Sequence, residues 1–305
     1  MERFLRNIEF AFCLSRAMLT SNSGHIHCIE SQHQMLIQAV LRSTKSISTL
    51  CVGSPGRDMK TKTKDFYRRA FSTGRLRFIV ETEDVRRDWK QYAGCNAVHI
   101  PVAISDRSEI KFCTSDARRH LGLPEDAFIC LFFGTHRDGK DYKTAFQAAK
   151  LAKSQPFLLF AGPLISGNDP DYLIQEMGYQ NALSWKRFYL DSEAAVLFDA
   201  CDVVMLPYSK GYEKGSAVLL QACKYGKPVI ATNTGHLAEF VLTHKTGMLF
   251  EAEDAHSLAG VYDAMACQGP AARAELERVI RRAANNYSWN HLIHRYLEIF
   301  NMADG

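Results

Sequence analysis

The chain has 305 residues, 47% of them apolar and 23% charged, with a net charge of +4. That length exceeds one ordinary compact domain, so two lobes are expected, each with a core of its own. Nine cysteines occur without a C-x-x-C pair, an odd and unpatterned count that argues for reduced thiols in a cytosolic compartment rather than a disulfide framework.

The chain opens on "MERFLRNIEFAFCLSRAMLT", helix-like and interrupted by Glu2, Arg3, Arg6, Glu9 and Arg16, which rules out the unbroken apolar centre of a secretory signal. No window holds eighteen consecutive apolar residues, so no spanning helix is expected. Strands are predicted at 25–29, 47–53, 77–81 and 97–101. Residues 1–95 carry 16 Lys or Arg against 9 Asp or Glu, and the remainder 21 against 24. The excess peaks in "RDMKTKTKDFYRRAFSTGRLR" (57–77), which reads either as a plain solvated surface or as a contact for an anionic partner such as a membrane surface or a phosphorylated lipid. Nucleic acid is not expected, since no aromatic-glycine signature of an RNA-binding module accompanies the charge.

A polar stretch over 102–126 marks the boundary between lobes, and "SDARRHLGLPED" within it reads as a capped helix ending at a glycine. Strands follow at 128–134, 156–162, 182–188, 202–207, 228–232 and 247–251, alternating with helices such as 141–153 and 214–225. Strands this apolar, without alternation, suit a parallel sheet buried on both faces. The closing segment 271–300 reads as helix broken near Asn285–Ser288.

Two strand–loop–helix units carry the candidate chemistry. In "LFFGTHRDGKDYKTAFQAAKLA" (131–152) an apolar strand ends in Gly134, and Arg137 and Lys140 stand three apart ahead of a helix. Both can reach a diphosphate at the carboxyl edge of an open sheet, Arg as a fork and Lys as a point charge. The loop has neither the G-x-x-x-x-G-K-[ST] of a P-loop nor the G-x-G-x-x-G of a dinucleotide site. In "VVMLPYSKGYEKGSAVLLQA" (203–222) Gly215 and Ser216 open a helix starting near Ala217, so their groups either cap it or meet a phosphate. Glu213 and Gln221 lie eight apart, positioned to face one cleft.

Taken together, in this order, these stretches resemble the donor half of the retaining GT-B glycosyltransferases, specifically glycosyltransferase family 4. "QACKYGKPVIATNTGHLAEFVLTHKTGMLFE" (221–251) is similar to the family's second block, "DSEAAVLFDACDVVMLPY" (191–208) to the helix and strand before it, and "NNYSWNHLIHRYLEIF" to its closing helix. The resemblance runs over roughly 97–300. It implies an α/β GT-B fold of two Rossmann-like lobes with parallel sheets. Residues 1–104 would be an abbreviated acceptor-side lobe, 105–284 the sugar-nucleotide lobe, and 285–305 a helix packing back on the first lobe. The family's first strand and glycine-rich loop are not found in the first lobe.

The resemblance assigns Lys140 and Arg137 to the diphosphate, with Thr135 in the place of the family's arginine and Arg137 two positions on. It assigns Glu213 to the donor sugar's hydroxyls, and Gly134, Gly215, Ser216 and Ala217 to the nucleotide pocket. Gln221 replaces the glutamate that binds the ribose, so ribose binding should survive but weaken. Catalysis is thereby implied for Glu213, Arg137 and Lys140. The implied reaction is retaining transfer of a hexose from a nucleotide-diphosphate sugar to a hydroxyl acceptor, a glycan or a lipid-linked sugar. No cofactor and no metal are expected, since cationic side chains supply the charge a metal would. A catalytically impaired nucleotide-sugar-binding or partner-binding protein and a GT-B nucleotide-sugar epimerase are the alternatives. A cytoplasmic location is expected, with peripheral contact at the inner membrane face through 57–77.

Overall fold

The computed structural model describes residues 25–28, 46–50, 55, 59–104, 112–212 and 215–301. Glu213, central to the expectation above, lies outside them. The chain divides into two compact units, residues 1–103 with 289–305 and residues 104–288.

The first unit holds a four-stranded parallel sheet in the order β1-β2-β3-β4, with β1 at His25–Cys28, β2 at Ser46–Leu50, β3 at Leu76–Val80 and β4 at Val98–His99. Helix α1 (Thr61–Ser72) joins β2 to β3, and α2 (Glu83–Asp88) continues into a π-helical turn at Trp89–Ala93. Thr82 caps α2 by accepting from the Val85 amide. Tyr67, Phe78 and Trp89 meet edge to face, with ring centroids 4.7 to 5.9 Å apart, and form the core under α1. The last helix, Trp289–Asn301, belongs to this unit and packs Ile299 against Ile79 and Ile100.

The second unit begins with α3 (Thr114–Leu121) and builds a six-stranded parallel sheet. Its strands are β5 (Ile129–Phe133), β6 (Phe157–Ala161), β7 (Ala182–Trp185), β8 (Val203–Leu206), β9 (Val229–Thr232) and β10 (Gly247–Phe250), in the order β10-β9-β8-β5-β6-β7. The crossover helices are α4 (Tyr142–Leu151), α5 (Pro170–Met177), α6 (Asp191–Ala200), α7 (Ala217–Lys224), α8 (Gly235–His244) and α9 (Ala255–Ala266). Leu131, Leu159 and Val204 point to the face carrying α3, α6, α7 and α8. Their neighbours Phe132, Phe160 and Met205 point to the face carrying α4, α5 and α9. Burial on both faces is why these strands read as continuous apolar runs.

Each helix start has a local cause. Asp141 accepts from the Thr144 amide, Ser216 from Leu219, and Asp254 from His256 and Ser257. Helix α3 ends on Gly122 in the left-handed conformation. The strand predicted at 182–188 stops at Trp185, because the Arg187 amide turns back to the Trp185 carbonyl. Chain order runs outward from β5 to β7 and then restarts at β8 on the other side of β5. The crevice beyond the carboxyl ends of β5 and β8 is therefore the topological switch point, where open α/β sheets bind ligands. Among the described residues, no helix is long and apolar enough to cross a membrane.

Candidate functional site

The turn after β5 is built by close approach. Gly134 (φ 83°) donates its amide to Ala161, and Gly162 (φ 154°) donates to Trp185. A Cβ on Gly162 would stand 2.1 Å from the Gly134 carbonyl oxygen, so only hydrogen fits between the ends of β5 and β6. A Cβ on Gly134 would meet Val218 of α7 at 3.2 Å, which puts the end of β5 directly against the first turn of that helix.

Two residues on, His136 is fully buried. Its amide donates to Pro163, its carbonyl accepts from Ile165, and its Nδ1 shares a 2.6 Å hydrogen bond with the Tyr142 hydroxyl. Burial, with the Lys140 ammonium nearby, lowers its pKa to about 4, so the ring is neutral at physiological pH. His136 is thus a peg that anchors the turn to the β6–α5 loop.

Lys140 leaves the turn on its other side. Its backbone pairs with Tyr208 beyond β8, flanked by Asp141 donating to Pro207 at 2.6 Å and Ser209 donating to Gly139 at 3.0 Å. The turn thereby spans the switch point from β5 to β8. The Lys140 Nζ folds back to donate to the Phe133 carbonyl at 3.3 Å. Burial, then repulsion from Arg137, lowers its pKa to about 8.

Arg137 is exposed, and its Nη2 donates to the Tyr212 hydroxyl at 3.4 Å. The Tyr212 ring stacks on Tyr208 with centroids 3.9 Å apart, and its hydroxyl donates to the Gly215 carbonyl at 3.1 Å. The Tyr208 hydroxyl meets Ser216 Oγ at 3.1 Å. Since Ser216 Oγ also caps α7, that hydroxyl is already committed within the protein; the free groups at this helix start are amides. Gln221, half-buried on the same helix, makes no side-chain hydrogen bond within the described residues.

The structure thus brings Gly134, Arg137, Lys140, Gly215, Ser216 and Ala217 to the β5/β8 edge, through the Gly134–Val218 approach, the Arg137–Tyr212–Gly215 contacts and the Lys140–Tyr208 bridge, with Gln221 further along α7. His136, Gly162, Tyr208 and Tyr212 were not singled out by sequence reasoning. The tyrosines did leave a signal, two aromatic rings four residues apart in "PYSKGY", in a loop otherwise read as polar. The site can hold an anion between two cationic side chains and a helix N-terminus. Among the described residues, no cluster of three or more His, Cys, Asp or Glu is placed to hold a metal ion.

The two parallel-sheet units, one with a topological switch point between β5 and β8, define the class: an α/β protein of GT-B fold. Solved structures agree. Sucrose-phosphate synthase from Thermosynechococcus elongatus superposes with a TM-score of 0.76 at 20% identity, over 98% of this chain and 78% of that one. Anabaena Alr3699/HepE, in complex with UDP-glucose, gives 0.74 at 17% identity over 96% and 82%. Residues 114–284 match the glycosyl transferases group 1, and the chain belongs to that family. The D-inositol 3-phosphate glycosyltransferase of Stackebrandtia nassauensis is 30% identical over 190 residues, 57% of this chain and 42% of that protein. That of Salinispora arenicola is 27% identical over 223 residues, 69% and 48%. The chain spans about half the length of these curated relatives.

Proposed function

We propose that the chain transfers a hexose from a nucleoside-diphosphate sugar to a hydroxyl acceptor, with retention of anomeric configuration. The observation that carries this reading is the meeting of Lys140, Arg137 and the start of α7 at the β5/β8 switch point. Lys140 and Arg137 neutralise the charge that develops on the leaving diphosphate, and the α7 amides share it. In a half-buried crevice such charges act with more force than in water. Glu213, next in sequence to Tyr212, orients the donor sugar for attack on the leaving-group face.

The ribose contact falls to Gln221, whose amide offers a donor and an acceptor to vicinal hydroxyls but no charge. Two cationic side chains supply what a divalent metal would, so the reading requires none. Support for a uracil nucleotide as the first donor to test comes from the solved neighbour holding UDP-glucose. The acceptor is a glycan or lipid-linked sugar, and the exposed basic face of α1 is suited to hold the protein at an anionic membrane. Titration of UDP and UDP-glucose into the full chain tests the core of this. Lys140→Ala and Arg137→Ala should each weaken binding about ten-fold or more, the scale of a hydrogen bond to a charged group. Unchanged binding in both would sink the reading. Gln221 also favours a second one, a protein that binds the donor without turning it over; sugar transfer from labelled UDP-glucose separates the two.

A further inference from the structure

We propose that a second cleft, beside the Asp138–Thr144 turn, binds a neutral carbohydrate of one or two sugar residues through hydrogen bonds. The cleft has a volume of about 370 Å³, within the range of small-ligand sites. The turn, α4, the β6–α5 loop, the residue after the β8 bridge and the loop before α9 converge on it, bringing Asp138, Lys143, Gln147, Asn168, Ser209 and Glu253 together. No aliphatic or aromatic side chain lines it, so an occupant must be held by polar contacts.

Three observations select the ligand class. The side chains of Lys143, Gln147, Asn168, Ser209 and Glu253 make no hydrogen bond or ion pair within the described residues, so donors and acceptors of both kinds stand free around one space. The lining residues carry three carboxylates and two ammonium groups, counting Asp141, which caps α4, and Lys140, whose Nζ turns to the Phe133 carbonyl, a near balance that favours no strongly charged ligand. No metal-holding cluster exists among the described residues, which removes the obvious role for the carboxylates. Glu253, one of the lining residues, also holds φ 61°, a region few non-glycine residues occupy. Mixed amide, carboxylate, hydroxyl and ammonium groups around a polar cleft match the vicinal hydroxyls of a sugar.

The cleft borders the nucleotide reading at Lys140, which lines it, whereas Arg137, Gly215, Ser216, Ala217 and Gln221 do not. Saturation-transfer NMR on the full chain, with glucose, galactose, mannose, maltose and cellobiose as probes, tests it. Saturable binding to at least one of these is expected. It should fall about five-fold in Gln147→Ala and again in Asn168→Ala, the loss of one hydrogen bond each. Both residues are exposed, so the thermal midpoint should not move, and UDP binding should be unchanged. Three results overturn the proposal: no saturable binding to any probe, binding unaffected in the double variant, or binding abolished by UDP alone. Failure of UDP to bind would instead overturn the nucleotide reading and leave this test intact.

Discussion

At the scale of the residue, Lys140 carries opposing demands. Its ammonium is held in a half-buried turn beside Arg137, with one carbonyl as partner, and its pKa falls from 10.5 to about 8. The folded state therefore binds that proton less tightly than the unfolded chain. By linkage, this group destabilises the fold below pH 8, and the penalty fades as pH rises from 8 to 10.5. Lys140→Met should accordingly raise stability at pH 7, by on the order of 1–3 kcal/mol after the lost hydrogen bond is counted. The same change should remove diphosphate binding. Urea unfolding of both proteins across pH 7 to 10.5 checks this, because the gap between the curves must close toward the upper end. A bound diphosphate stabilises the ammonium, so wild-type affinity should fall as pH rises through about 8. A Met variant no more stable than the wild type at pH 7 would show that the ammonium is solvated after all.

At the scale of the element, the β5–α4 turn is fixed from outside itself. Gly162, on the neighbouring strand's exit, leaves no room for a Cβ against Gly134, and His136 pins the turn from within. Gly162→Ala must push the ends of β5 and β6 apart and should cost about 3 kcal/mol or more. Gly178→Ala, where φ is 59° and nothing lies within 4 Å of the added carbon, should cost only about 1 kcal/mol. Chemical denaturation of the two variants gives the comparison, and equal losses would contradict the close approach. This contrast also marks what the sequence made legible. The strand "FICLFFG" and the basic turn "HRDGK" announce themselves by apolar run and charge, as does the capped start of α7. Whether Arg137 replaces the arginine absent at Thr135 depends on Tyr212, 75 residues on, and no local pattern records such a contact. By sequence Ser216 suits either a helix cap or a phosphate contact; its hydroxyl caps α7 and also meets Tyr208. His136 reads as part of a basic cluster, and only packing against Tyr142 and Phe160 makes it a neutral core residue.

At the scale of the whole molecule, charge is distributed unevenly: the excess of basic residues lies within the first 95, while the remainder is slightly acidic. On α1 and its start, Lys60, Lys62 and Arg69 are exposed and make no ion pair among the described residues, whereas Arg68 pairs with Asp65. A basic residue near an anionic bilayer contributes about 1 kcal/mol, and the attraction decays within a Debye length of roughly 10 Å at 0.1 M salt. Three such residues on one helix should therefore change vesicle affinity by on the order of a hundred-fold. The full chain should co-sediment with phosphatidylserine vesicles at low ionic strength, release as salt is raised, and ignore phosphatidylcholine vesicles. The triple change Lys60→Glu, Lys62→Glu and Arg69→Glu should abolish sedimentation while leaving UDP titration unchanged, because all three belong to the first unit and the β5/β8 edge is built from the second. Sedimentation that resists both salt and the triple change would mean that apolar contact, not this basic face, holds the protein to lipid.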